Sequence, residues 1–137
     1  MSEMPSKMMA GLLSAEWKPK TNYKTNEIEE KTHKTYFGSK VWYRPTIKVV
    51  TDYPVPNISP KEVLIKVKAC GICGSDLHML ESDQEGYMLY PGLTKLPVIT
   101  GHEFSGQVIK VGSEVNSLKP GDMVTAEEMI WCGECIP

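Results

Sequence analysis

Residues 62–78 read Glu62-Val63-Leu64-Ile65-Lys66-Val67-Lys68-Ala69-Cys70-Gly71-Ile72-Cys73-Gly74-Ser75-Asp76-Leu77-His78, a strand signal that runs directly into a Cys-x-x-Cys pair. Val63, Ile65, Val67 and Ala69 alternate with Leu64, Lys66 and Lys68, so one face is wholly apolar and the other mostly wet, the period of a half-buried strand. Upstream, Thr46 to Thr51 is rich in β-branched residues and is closed by Pro54 and Pro56, which end a strand and open an extended loop. Downstream, Phe104 to Val111 and Asp122 to Ala126 read as two further strands, joined through Gly112 and the tetrapeptide Lys119-Pro120-Gly121-Asp122. Proline presets the first turn angle there and glycine permits a positive φ at the next, which predicts a type II turn. Met9 to Glu16 is another candidate strand. Helical signals are thin: Ser75-Asp76 as the cap of a short helix through Leu80, and the charged stretch Asn26 to Lys34. The chain therefore reads as mainly β with short helices and irregular loops, and Tyr23 to Lys40 (23–40) as a surface excursion without an assigned role.

The composition agrees with one soluble domain over 1–137: 41% hydrophobic and 23% charged residues, with 15 Lys+Arg against 17 Asp+Glu. A net charge of -2 lacks the basic surplus of a nucleic-acid binder, so no nucleic-acid partner is expected. The apolar run Met8 to Leu13 is too short for the core of a signal peptide, and nothing approaches the roughly 18 apolar residues of a membrane span. A cytoplasmic protein without a membrane partner is expected. Cysteines stand at 70, 73, 132 and 135, two Cys-x-x-Cys pairs that, without an export signal, point to metal binding or redox chemistry.

Three clusters could carry that chemistry: Cys70 to His78, Thr100-Gly101-His102-Glu103-Phe104, and Trp131-Cys132-Gly133-Glu134-Cys135. Thiolate and imidazole are preferred zinc ligands, and strand ends can bring Cys73 and His102 to one ion although 29 positions separate them. Singly, each cluster has a plainer reading: buried thiols packing as small apolar groups, a histidine hydrogen-bonded beside a strand, a serine and an aspartate capping a helix. Their order carries more than any one of them. Cys-Gly-Ile-Cys-Gly-Ser-Asp-Leu-His precedes Gly-His-Glu-Phe-Ser-Gly, then Lys-Pro-Gly-Asp-Met-Val, then Cys-Gly-Glu-Cys.

That ordered set resembles the N-terminal catalytic domain of the zinc-dependent medium-chain alcohol and polyol dehydrogenases, a GroES-like, partly open barrel. The resemblance runs from about Val41 to Pro137. Within the family, the segment holding Glu85-Gly86-Tyr87 and Leu89-Tyr90-Pro91-Gly92-Leu93-Thr94 is most similar to the branch containing scyllo-inosose 3-dehydrogenase, which implies a cyclic polyol or its ketone as substrate.

The resemblance implies Cys73 and His102 as catalytic zinc ligands, with Glu103 the acidic residue beside the metal, as a transient ligand or an outer neighbour. Cys70 falls where the family requires no ligand and is expected as a packed thiol. Asp76 would accept a hydrogen bond from the far ring nitrogen of His102, fixing its tautomer. The implied reaction is oxidation of a secondary alcohol, its hydroxyl made acidic by zinc and its hydride passed to NAD or NADP. Ser75 would receive the hydroxyl proton and His78 pass it to solvent, His78 being otherwise an exposed helical residue. Cys132 and Cys135 match the opening of a structural zinc lobe that uses four cysteines in this family, the third expected directly after Pro137. The third catalytic ligand and a Gly-x-Gly-x-x-Gly nucleotide fingerprint are not in these residues. In this family the fingerprint lies in a following Rossmann domain, so the 137 residues alone are expected to be inactive; the complete enzyme is expected to be a homo-oligomer.

Rival readings remain open on residues alone. Trp131 to Cys135 also resembles a thioredoxin-like redox motif, although that motif opens a helix early in its fold. Cys70, Cys73, Cys132 and Cys135 could hold one ion as a zinc-ribbon-like binding module, which leaves His102 and Asp76 unexplained. A stand-alone GroES-like structural or oligomerising domain is the third.

Overall fold

β-branched and alternating segments become strands, and the turn chemistry between them sets their pairing. The computed structural model describes residues 5–127. Its strands are β1 (Lys7–Trp17), β2 (Lys34–Thr35), β3 (Trp42–Pro54), β4 (Val63–Cys70), β5 (Thr94–Lys95), β6 (Val98–Ile99), β7 (Phe104–Val111) and β8 (Met123–Thr125). Three short helices interrupt them: α1 (Glu27–Thr32), α2 (Gly38–Val41) and α3 (Gly74–His78). The strands form antiparallel sheets in the orders β3-β1-β6, β2-β5 and β4-β7-β8, none of them closed into a barrel. The strands expected at 62–69, 104–111 and 122–126 match β4, β7 and β8 to within a residue, and those at 9–16 and 46–51 lie inside β1 and β3. The chain divides into two compact units, residues up to 55 with 73–100, and 56–72 with residues from 101 onward.

In the first unit β1 runs along β3 for most of its length, and Leu13, Val41, Trp42, Met88 and Leu96 form its buried core. The indole of Trp42 donates to Thr94 Oγ1 at 3.0 Å, so burial of the largest core side chain leaves no polar group unpaired. The segment expected as a surface excursion is tied into this unit. Helix α1 starts in a capping box, with the Glu29 amide donating to Asn26 Oδ1 at 2.9 Å and the Asn26 amide to Glu29 Oε2 at 3.0 Å. Glu29 itself is buried, and its Oε1 also accepts from the hydroxyls of Tyr23 at 2.9 Å and Thr35 at 2.6 Å. Burial pushes the Glu29 carboxyl up, but the bonds from Thr35, Asn26 and Tyr23 outweigh it and hold the group below its ordinary value. The hydroxyl of Thr94 donates to the Thr35 carbonyl at 3.3 Å, linking this carboxylate network to Trp42.

In the second unit β7 is central, flanked by β4 and β8. Its Gly106 lies so close to β4 that an added Cβ would come within 2.6 Å of Lys66 O. The turn at 119–122 has the expected form: Gly121 takes φ +103°, and the Asp122 amide donates to the Lys119 carbonyl at 3.2 Å. The burial phase of β4 differs from the sequence pattern. Leu64 is the buried residue, while Val67 is 52% exposed. Register shifts between Leu64 and Ile65, and between Val67 and Ala69, change which residues share a face, an effect invisible to a strict two-residue period.

Candidate functional site

Strand β4 ends at Cys70, and three residues later Cys73 stands in extended backbone (φ -79°, ψ 154°) as the N-cap of α3. The sequence suggested Ser75-Asp76 as the cap. Instead Asp76 occupies the third helical position, where its buried carboxylate Oδ2 accepts the Cys73 amide at 3.0 Å. This is the acidic half of a capping box, and it pins the backbone from which the Cys73 thiol projects. Ser75 is half-buried in the first turn, and its carbonyl accepts the Met79 amide at 3.2 Å. His78 closes α3 with its side chain 62% exposed and its Nδ1 2.9 Å from Glu81 Oε2. Glu81 stands three residues past His78, beyond the end of α3, and its (i, i+3) spacing is the only mark of this pairing in the sequence.

The second cluster lies just before β7. Gly101 has φ +98°, His102 is half-buried and Glu103 exposed. The Gly71 amide donates to the Glu103 carbonyl at 2.8 Å, joining the Cys-x-x-Cys loop to the Gly-His-Glu segment. Cys73 follows Gly71 by two residues, so covalent geometry keeps its Cα within about 7 Å of the Gly71 Cα. Cys70, expected as a packed thiol, is instead exposed at the end of β4, with its Sγ 3.4 Å from the Gly71 carbonyl oxygen. Gly71 and Gly101 adjoin the two clusters without offering a ligand atom, so residue type alone gives no reason to single them out. Cys132 and Cys135 lie outside the described residues.

Residues 59–137 match the family model described as the alcohol dehydrogenase GroES-like domain. The chain belongs to this family. The fold is accordingly GroES-like, with the Cys-x-x-Cys loop and the Gly-His-Glu segment both inside the matched region of the domain. The GroES-like chain is 48% identical to scyllo-inosose 3-dehydrogenase of Thermotoga maritima over 137 aligned residues, covering 95% of the chain and 34% of that protein. It is 49% identical over 89 residues to L-threonine 3-dehydrogenase of Bacillus subtilis, covering 65% of the chain and 24% of the relative. A solved Thermotoga maritima structure, provisionally described as an alcohol dehydrogenase, superposes with TM-score 0.81 at 47% identity, covering 93% of this chain and 34% of the other. A provisionally described zinc-binding dehydrogenase of Sinorhizobium meliloti, solved with NADP, gives TM-score 0.52 at 28% identity over 92% of this chain and 27% of the other. The domain thus spans about a third of the length of the first relative and about a quarter of the second. No helix among the described residues is long and apolar enough to cross a membrane.

Proposed function

We propose that this chain is the N-terminal catalytic domain of a zinc-dependent, NAD(P)-linked dehydrogenase that oxidises a secondary alcohol of a small polyol, with Cys73 and His102 as zinc ligands and Glu103 beside the metal. The observation that carries the reading is the Gly71 amide bonded to the Glu103 carbonyl, which ties the loop leading into Cys73 to the two residues His102 and Glu103. Each of the three offers one atom a metal accepts, a sulfur, an imidazole nitrogen and a carboxylate oxygen, and this donor chemistry suits zinc. Zinc, when bound, supplies Lewis acidity that makes a substrate hydroxyl more acidic.

The remaining work falls to the chain. Asp76 holds the Cys73 backbone through its amide, and in this reading also orients His102. Ser75, two residues after Cys73, takes the hydroxyl proton. His78 delivers it to water from an exposed ring whose other contact is Glu81. Cys132 and Cys135 open a structural zinc lobe. The nucleotide is held by a further domain, the complete enzyme is a cytoplasmic homo-oligomer, and the isolated 137 residues do not turn over. The 48% identity to a protein named scyllo-inosose 3-dehydrogenase supports a cyclic polyol or its ketone over an amino-acid substrate.

Bound zinc, counted per chain in the protein and in the Cys73→Ser and His102→Ala variants, tests the reading. Loss of one equivalent in each variant supports it. Full zinc in both contradicts it, and loss of metal in Cys70→Ser as well supports a zinc ribbon instead.

A further inference from the structure

Two glycines face each other's segments across the Cys-x-x-Cys loop and the Gly-His-Glu turn. A Cβ on Gly101 would lie 2.7 Å from Cys70 Sγ, and one on Gly71 would lie 2.5 Å from Glu103 Oε2 and 3.2 Å from the Glu103 Cβ. Non-bonded heavy atoms rest at roughly 3.5–4.0 Å, so neither Cβ fits without movement. The two positions differ in why glycine is needed. Gly101 has φ +98°, a conformation that disfavours any side chain regardless of space. Gly71 is not among the glycines of positive φ, so its backbone would accept alanine and only the room it leaves is special. That room is filled by the side chain of the residue whose carbonyl accepts the Gly71 amide.

We propose that Gly71 is a positioning residue for Glu103: the missing side chain lets the Glu103 carboxylate lie folded over the loop that leads into Cys73, instead of swinging out to solvent. This inference rests on the proposed function for its consequence, namely that the placement of the carboxylate tunes zinc binding. The nearest atom is the far end of a flexible side chain, and the Glu103 Cβ at 3.2 Å needs to give by only a few tenths of an ångström, so Gly71→Ala displaces the carboxylate and leaves the strands on either side paired. Gly101→Ala would instead strain the backbone, which makes Gly71 the cleaner probe.

The experiment is a double-mutant cycle on zinc affinity, with Gly71→Ala made in the protein and in Glu103→Ala. The expected result is a roughly tenfold loss of zinc affinity on Gly71→Ala when Glu103 is present, falling to within about twofold in the Glu103→Ala background. An equal loss in both backgrounds, or no loss in either, overturns the inference. A second measurement needs no metal: the carboxyl ¹³C resonance of Glu103 in the metal-free protein shifts on Gly71→Ala, whereas the resonance of the distant Glu29 stays. An unmoved Glu103 resonance overturns this inference alone. A protein that takes up no zinc yet shows the Glu103 shift contradicts the metal reading and leaves the positioning role standing.

Discussion

Two carboxylates, Glu29 and Glu103, follow the same chain and end in opposite circumstances. Glu29 is buried and accepts from Tyr23, Thr35 and both the amide and the side chain of Asn26, so its oxygens are committed to holding the segment 23–40 in place. Glu103 is exposed and lies against a glycine whose lack of a side chain gives it room, while its backbone carbonyl makes the structural bond. A carboxylate saturated by fixed donors stabilises a fold, and one left accessible keeps oxygens that a metal could take, the role proposed for Glu103. The two regions should therefore respond to mutation in opposite currencies, stability in the first and metal affinity in the second.

The sharpest way to break the contrast is to remove the core beneath the Glu29 network. Trp42→Ala deletes a side chain only 2% exposed and takes from the Thr94 hydroxyl the donor it accepts, so chemical denaturation should show a loss of about 3–5 kcal/mol. Glu29→Ala comes next: it removes a charged acceptor from four donors, and the same measurement should show a loss of about 1.5–3 kcal/mol. Glu103→Ala, by contrast, should stay within about 0.5 kcal/mol in stability while weakening zinc binding. A Glu29→Ala variant as stable as the parent, or a Glu103→Ala variant as destabilised as Glu29→Ala, would erase the distinction.

Acidity sharpens the comparison further. The native Glu29 carboxyl lies below its ordinary value, so its contribution is fully present above the unfolded-state value, near 4.3, and is lost as the pH falls through the lower native one. Asp83 is also held low, by the Tyr87 amide and then Lys20, and Glu62 by the Ser59 amide, so both reinforce the same acid limb. Thermal midpoints measured from pH 6 downward should fall, and Glu29→Gln should fall less steeply than the parent over that range. The smallest effect is expected at Lys20, whose ammonium lies 3.0 Å from Asp83 and 2.5 Å from Glu85 and over the Tyr87 ring. Lys20→Ala should lower the thermal midpoint least of these variants, since its carboxylate partners keep access to water.

The legibility of the two regions in sequence also differs, for physical reasons. Strands β4, β7 and β8 were readable because alternation and turn chemistry are local, and the Lys119 to Asp122 turn needed only its own four residues. The candidate site segments at 70–78 and 101–103 stand out in the sequence because thiol, imidazole and carboxylate are rare enough together to be noticed in order. The Glu29 network does not, since Thr94 meets Thr35 across 59 positions and Trp42 across 52, and a charged stretch gives no sign that one carboxylate will be buried. The two-residue strands β2, β5 and β6 are too short to carry a period. The cap of α3 was misplaced because cysteine is an unusual N-cap, and Asp76 reads as a cap in its own right until its partner is seen to be the Cys73 amide.

The central claim is that Cys73, and not Cys70, supplies a thiolate to a metal shared with His102. Cobalt substitution tests it most directly in a background in which Cys132 and Cys135 are replaced by serine, because a thiolate bound to cobalt gives a charge-transfer absorption that no other ligand here produces. The account predicts that this band is present in that background, survives Cys70→Ser and disappears in Cys73→Ser. A band that survives Cys73→Ser, or that is lost with Cys70, would contradict it.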